Sequence, residues 1–555
     1  MVSWALVIAS CAAAHETNGD AGRLSDGAPS DSRAPSRDAP SVSPDVYVDD
    51  AWIGDVGPPP PRAIAPLSSA TVTSRTPTLR WALHTGTDGA HVELCRDRAL
   101  SIACASFDAA GSSGRPSAPL APGAWFWRLS SRSGAVTGIA TSAVWELFVG
   151  HGSADVDTSW GTTLDPNADG FADLAVLQMN AGLHLYLGGP GGIADAAAPA
   201  ASLDDEDVGS VGSAGDVDGD GYPELLQAAG DIGRVYLRYG GPMGIDPHGY
   251  ARAFTPAFGV SRAASVGDVN GDGYGDIVVT SGARVLIFHG GATGIAADAV
   301  QSTTIDAPIG SGSGFGASLA AADMNADGFG DLIVGSWHFD SAAVRIYVYF
   351  GGTAGLAWAP SVTLSLSMAT SYDIGVACVD VNGDGHADLF VADHPAAYLF
   401  VAGPTGIDDG APASARLDVA SASGLYLPIA APGDLDGDGY DELAIFGVGG
   451  VHVYRGSADG IATGAEPAAI LAVPAASDGP FAMASAGDVD GDAHPDLVVG
   501  DAQSMGRGRV YVYGGGPTSI TSTAVPRTSL VSPRTSGYEY GYVVAAYGRW
   551  TSPPG

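Results

Sequence analysis

Asp216-Val217-Asp218-Gly219-Asp220-Gly221-Tyr222-Pro223-Glu224 decides how this chain folds. It sets carboxylates at positions 1, 3, 5 and 9 of a nine-residue phrase, and Tyr222 offers a backbone carbonyl at position 7. A calcium ion takes six to eight hard oxygen ligands at roughly 2.3–2.6 Å, and this spacing supplies them. Gly221 at position 6 permits the sharp turn that a residue with a Cβ resists. Without a cation the carboxylates repel, each pair by about 4 kcal/mol at 4 Å and an effective dielectric near 20. The phrase therefore makes electrostatic sense with a metal in it.

The phrase returns seven times, at intervals of 51 to 57 residues, which marks a repeat architecture. Its ligand positions are Asp165, Asn167, Asp169 and Asp173 in the first copy, and Asp216, Asp218, Asp220 and Glu224 in the second. Asp268, Asn270, Asp272 and Asp276 form the third; Asp323, Asn325, Asp327 and Asp331 the fourth. Asp380, Asn382, Asp384 and Asp388 form the fifth; Asp434, Asp436, Asp438 and Glu442 the sixth. Asp488, Asp490, Asp492 and Asp496 complete the set, so about seven Ca²⁺ ions are expected. An EF-hand would carry its bidentate Glu at position 12, where this chain has Val176, Gln227, Val279, Val334, Val391, Ile445 and Val499. Each phrase leads instead into a short β-rich run such as Asp331-Leu-Ile-Val-Gly. The EF-hand reading fails.

Alternating apolar residues and turn glycines predict four strands per repeat. In the fourth repeat they begin near Phe315, Asp331, Val344 and Trp358. Glycine turns recur at Gly188, Gly240, Gly290 and Ala402; no Gly-Lys-Ser/Thr follows, so they read as turns and not phosphate loops. Four-stranded units repeated about a centre make a β-propeller, and seven phrases imply seven blades. Two copies depart from the pattern: the first has the short approach SWGTTLD at Ser159 and Pro166 in its loop, and the seventh has Ala493 at position 6. The tail from Ser536 looks like the first strand of an eighth unit without an acidic loop: a closing strand, a decayed repeat or a truncated end.

The Phe-Gly at Phe315, the acidic phrases with an acid at position 9 and the glycine turns resemble the FG-GAP repeats of integrin alpha-subunit propellers and their bacterial relatives. The resemblance covers about residues 150–540. It implies an all-β, seven-bladed, calcium-bearing propeller of extracytoplasmic, interaction type. No inserted von Willebrand-type domain is apparent.

Upstream, Val2–Ser10 is a short apolar run, too brief to span a bilayer, and Ile8-Ala9-Ser10-Cys11 resembles a bacterial lipobox with Cys11 as the lipidated residue. No Arg or Lys precedes the run, which departs from a standard signal peptide. Residues 12–61 are rich in Ala, Asp, Ser and Pro and read as a disordered tether. Residues 62–150 carry strand-like segments with spaced Trp, resembling a small fibronectin type III-like β-sandwich. There Cys95 and Cys104 lie across a hairpin, as a disulfide or as two buried thiols. The expected organisation is 1–11 signal segment, 12–61 linker, 62–150 sandwich, 151–540 propeller and 541–555 partial repeat or tail.

The chain has 61 acids against 24 bases, every base an Arg. Seven Ca²⁺ would add 14 charges and bring the formal net charge from −37 to −23. Such acidity excludes a nucleic-acid partner. The 12 His are scattered, with no HExxH, and the best acid pairs already belong to the loops, so no enzyme is expected. The expected role is a monomeric module in the cell envelope or secreted, touching the membrane only through its lipid anchor and binding a protein or glycan. Alternatives are a passive spacer, or a lectin or carbohydrate-active enzyme using a propeller face. Trp337 and Phe339, on the connection between the second and third strands of repeat four, are candidate ligand anchors on the face opposite the calcium loops; the alternative is that they pack between blades.

Overall fold

The computed structural model describes residues 58–545, apart from 68–69, 73, 150–158, 161–163, 179–181, 204–209, 230–232, 248–251, 257–259, 261, 297–298, 309–313, 339–342, 368–373, 420–427, 475–481, 503–507 and 534–539. Cys11, the linker to residue 57, Phe339 and residues 546–555 thus lie outside the described residues. Those described belong to one compact unit, Asp49–Gly555, and contain strands and turns but no helix.

Among the described residues there are seven four-stranded antiparallel sheets, six of consecutive strands and the first completed by a strand from the end of the chain. The fourth is typical: Ser318–Ala322, Asp331–His338, Ala343–Tyr349 and Val362–Ser367 pair in sequence order. The second and third strands of each sheet are mostly apolar and buried on both faces, as sheets packed face to face require. Innermost strands touch their neighbours in order, from Ser210–Gly215 through Arg262–Gly267, Ser318–Ala322, Gly375–Val379, Ile429–Gly433 and Ala482–Gly487 to Tyr540–Ala545, which returns to Ser210–Gly215. That closed circuit is a β-propeller.

Closure comes from the end of the chain. Tyr540–Ala545 pairs with Leu174–Gln178 as the innermost strand of the first sheet. The tail with no acidic loop is thus a closing strand, and its loop is supplied by the first repeat. The segment at the start of SWGTTLD joins a different sheet: Ser159 and Trp160 pair with Val72 and Thr71.

The N-terminal part is two sheets over a common core. Arg62–Ala65, Leu79–Ala82 and Ser113–Gly114 form one; the other is built on Gly89–Cys95, Gly123–Ser133 and Trp145–Val149. Trp81, Trp127 and Trp145 fill the space between them, the last two edge to face with centroids 5.8 Å apart. Ala105–Ala110 and Val136–Thr141 escaped the sequence reading because they are largely exposed, although Phe107 and Ala109 alternate inward against the core. Cys95 and Cys104 are joined in a disulfide. Cys378 lies outside the disulfide and is buried in the apolar core between blades four and five.

Candidate metal centres

Each acidic phrase forms a tight loop wound around the carboxylate at position 1, joining the first and second strands of its blade in loops 2 to 7 and leading into Leu174–Gln178 in loop 1. In loop 2, Asp216 Oδ1 accepts the backbone N–H groups of Gly219 and Asp220 at 2.7 and 2.9 Å, and Oδ2 accepts that of Gly221 at 2.8 Å. Asp268, Asp434 and Asp488 hold their loops in the same way. The position-9 acid begins the second strand and is fully buried in loops 2 to 7. One of its oxygens accepts the position-2 N–H, as Asp276 does from Val269 at 3.0 Å. Where position 9 is Asp, the other oxygen accepts the first N–H of the glycine turn: Gly188, Gly290, Gly351, Ala402 or Gly515. The loops and the glycine turns therefore share one face.

In loops 2 and 6 position 9 is Glu, and its longer side chain leaves Glu224 Oε1 and Glu442 Oε1 buried with no hydrogen-bond partner; Asp173 Oδ2 in loop 1 is in the same state. Burying an unpaired carboxylate oxygen is costly, and a cation bound at that point removes the cost. Burial, with the neighbouring acids, pushes the carboxyls up: Asp276 and Asp388 to about 8, Asp216 and Asp323 to about 7, and Glu442 to about 10. Carboxylate oxygens of Asp216, Asp218 and Glu224 lie within 4.8 Å of one another, as do those of Asp434, Asp436 and Glu442. An all-oxygen donor set of this kind fits Ca²⁺.

Three features were missed in the sequence. Several neighbouring loops are tied together, position 8 of one donating its N–H to the position-1 carbonyl of the loop before it; loops 2 and 7 have Pro223 and Pro495 there and no N–H to give. Gly275 binds Asp216, Gly330 binds Asp268, Asp441 binds Asp380, and Ala172 binds Asp488. The glycine turns also clasp the preceding blade, since Gly241, Gly291 and Gly352 donate to Pro166, Val217 and Val269. Finally, position 7 does more than lend a carbonyl. Tyr274, Phe329, Tyr440, His494 and Phe171 each lie over the position-4 glycine of the neighbouring loop, where a Cβ would come within 3.0 Å of the ring. The ring-bearing residue at position 7 of every copy was the signal for this packing.

The sandwich rests on this face. Trp145 Nε1 donates to Ala168 O at 3.1 Å, and Arg62 stands over the Tyr222 ring at 4.9 Å. A Cβ on Gly170 would fall 2.2 Å from Val144 O, and one on Gly221 2.8 Å from Ala63 O, so the position-6 glycines also admit the sandwich. Between the two parts lies a cavity of about 340 Å³ bounded by Leu67, Arg80, Asp216, Asp268 and Tyr274.

Trp337 is corrected from loop to strand: it pairs with Val344 inside Asp331–His338, half-buried against the core between blades four and five. Trp358, expected at the start of the fourth strand, precedes it and is exposed.

A family model described as FG-GAP-like repeat matches residues 268–334, 323–391 and 434–499. Those segments carry FG-GAP-like repeats. Integrin alpha-IIb of Homo sapiens is 33% identical over 192 residues, covering 30% of this chain and 18% of that protein. Integrin alpha-7 of Rattus norvegicus is 30% identical over 213 residues, 36% of this chain and 14% of that protein. Phosphatidylinositol-glycan-specific phospholipase D of Bos taurus is 32% identical over 151 residues, 23% of this chain and 18% of that protein. The chain spans less than a fifth of the length of these relatives. The matched FG-GAP segments include loops 3 to 7 in full.

Proposed function

We propose that this chain is an exported, calcium-loaded binding or adhesion module: a seven-bladed FG-GAP propeller carrying a fibronectin type III-like sandwich, tethered to the cell envelope through Cys11. The observation that carries the reading is the ring of acidic loops, several of them hydrogen-bonded to a neighbour and holding buried carboxylate oxygens that lack partners. Calcium there supplies charge neutralisation and rigidity, and the chain's own loops supply every ligand. The Cys95–Cys104 disulfide supports an oxidising compartment. Likeness to integrin alpha chains supports a binding role over catalysis.

The sandwich covers part of the loop face, so the opposite face, formed by the connections between strands two and three and between blades, is the side open to a protein or glycan ligand. Glycan arrays and pull-downs from neighbouring cells, with and without Ca²⁺, test this. A saturable ligand that is lost on chelation is expected; none on any surface leaves the passive spacer. Anchoring has its own test. Cys11→Ser is expected to move the protein from the membrane to the soluble fraction, because stable anchoring needs lipid chains on that residue. A wild-type protein that is already soluble and lacks the lipid mass contradicts it.

A further inference from the structure

Loop 7 departs from the other loops in what stands beside its acids. In most blades the residue just before the glycine turn carries a side chain, and two of these meet position 3 of their own loop. His289 Nδ1 is 3.2 Å from Asn270 Nδ2, and Arg455 Nη2 is 2.9 Å from Asp436 Oδ2. In the seventh blade that residue is Gly514, and the space a Cβ would take is bordered by Arg527, whose Cδ and Nη1 lie 3.3 and 3.4 Å away. Arg527 Nη1 reaches through to pair with Asp490 Oδ2 and stands 3.8 Å from Asp492 Oδ2. From the other side Arg98 of the sandwich sits 3.5 Å from Asp488 Oδ2 and 3.7 Å from the buried Glu146. Three of the four ligand carboxylates therefore already face a guanidinium.

We infer that loop 7, although its oxygens are close enough together for a metal, holds Arg527 in place of calcium and serves with Arg98 as a metal-independent clasp. A guanidinium paired with position 3 and 3.8 Å from position 5 takes up an oxygen that calcium would need, and it repels a second cation. Ala493 agrees with this. It holds φ at +75°, strained for an alanine, where all six other loops keep the glycine of the tight calcium turn. The location gives the clasp a purpose. Loop 7 borders the seam where the last blade meets the first, bonded there through Ala172 to Asp488 and Gly189 to Val489. Arg98 pins the sandwich across the same seam, with its guanidinium 4.4 Å from the Phe171 ring of loop 1. The two guanidiniums thus keep part of the loop's negative charge offset at this seam when calcium is withdrawn.

The inference rests on the calcium reading of the other loops, and counting bound calcium by equilibrium dialysis and metal analysis separates the two. Wild type is expected to hold six ions, the Asp490→Asn/Asp492→Asn variant still six, and Arg527→Gln seven. The Asp268→Asn/Asp272→Asn variant in loop 3 is expected to hold five. A wild-type count of seven, or loss of one ion from the loop 7 double variant, overturns the clasp. Because the wild-type count needs no substitution, a variant that fails to fold leaves the test standing. If the loop 3 variant keeps the full wild-type count, the calcium reading itself has failed, and the inference falls with it.

Discussion

Removing calcium is expected to lower the melting temperature of the purified protein by roughly 10 °C at pH 8. Sites of extracellular affinity, with Kd near 10⁻⁴ M, reach about tenfold saturation in millimolar calcium, and each then stabilises the fold by about 1.4 kcal/mol. Six such sites contribute about 8 kcal/mol. Against an unfolding entropy of about 2 cal/mol/K per residue over the propeller, that is a shift of roughly 10 °C. The pH dependence should reverse with the metal. Without calcium, the carboxyls of Asp216 and Asp323 titrate near 7 and those of Asp276 and Asp388 near 8, well above the ordinary carboxylate range. The folded state therefore holds protons that the unfolded chain releases above about pH 4. Stability of the metal-free protein falls as pH rises from about 4 to about 8, by at most about 1.4 kcal/mol per pH unit for each group. Calcium displaces those protons, so its stabilising effect is largest at pH 8 and small at pH 5, where protons compete for the same oxygens. Melting curves with calcium and with chelator at both pH values decide the matter. An unchanged melt in chelator at pH 8 contradicts the account.

The second large effect concerns ring closure. Tyr540 is fully buried in the core between the last and first blades, and its hydroxyl meets that of Tyr186 at 2.6 Å. Tyr540→Ala is expected to cost about 3–5 kcal/mol, the range for emptying an aromatic core position. Tyr540→Phe keeps the packing but strands the Tyr186 hydroxyl, at about 1–3 kcal/mol. Urea midpoints read both. If Tyr540→Ala unfolds within about 1 kcal/mol of wild type, the strand does not close the ring as described.

Much of this was legible because the repeat is local: each loop, the strand it enters and the glycine turn lie close together in sequence and recur in phase. What was hidden joins distant parts of the chain. Tyr540–Ala545 completes a sheet whose other strands begin at Leu174, and no period within one repeat shows that pairing. The use of Ser159–Trp160 by the sandwich follows from the same offset, since the first blade takes its inner strand from elsewhere. Position 4 was silent for another reason. Five loops have glycine there, but Ala168 and Ala326 adopt the left-handed conformation too, at φ 52° and 51°, so composition alone understates the constraint. Arg527 was one base among many until Gly514 was seen to leave it a path. Trp337 read as a loop anchor because its strand runs longer than the short second strands of the other blades.

Anomalous diffraction from crystals grown in calcium tests the central claim most directly. The account predicts one calcium peak in each of loops 1 to 6, coordinated by the side chains at positions 1, 3, 5 and 9 and the carbonyl at position 7, and none in loop 7. Crystals from the same solution with no peak in any acidic loop would contradict it.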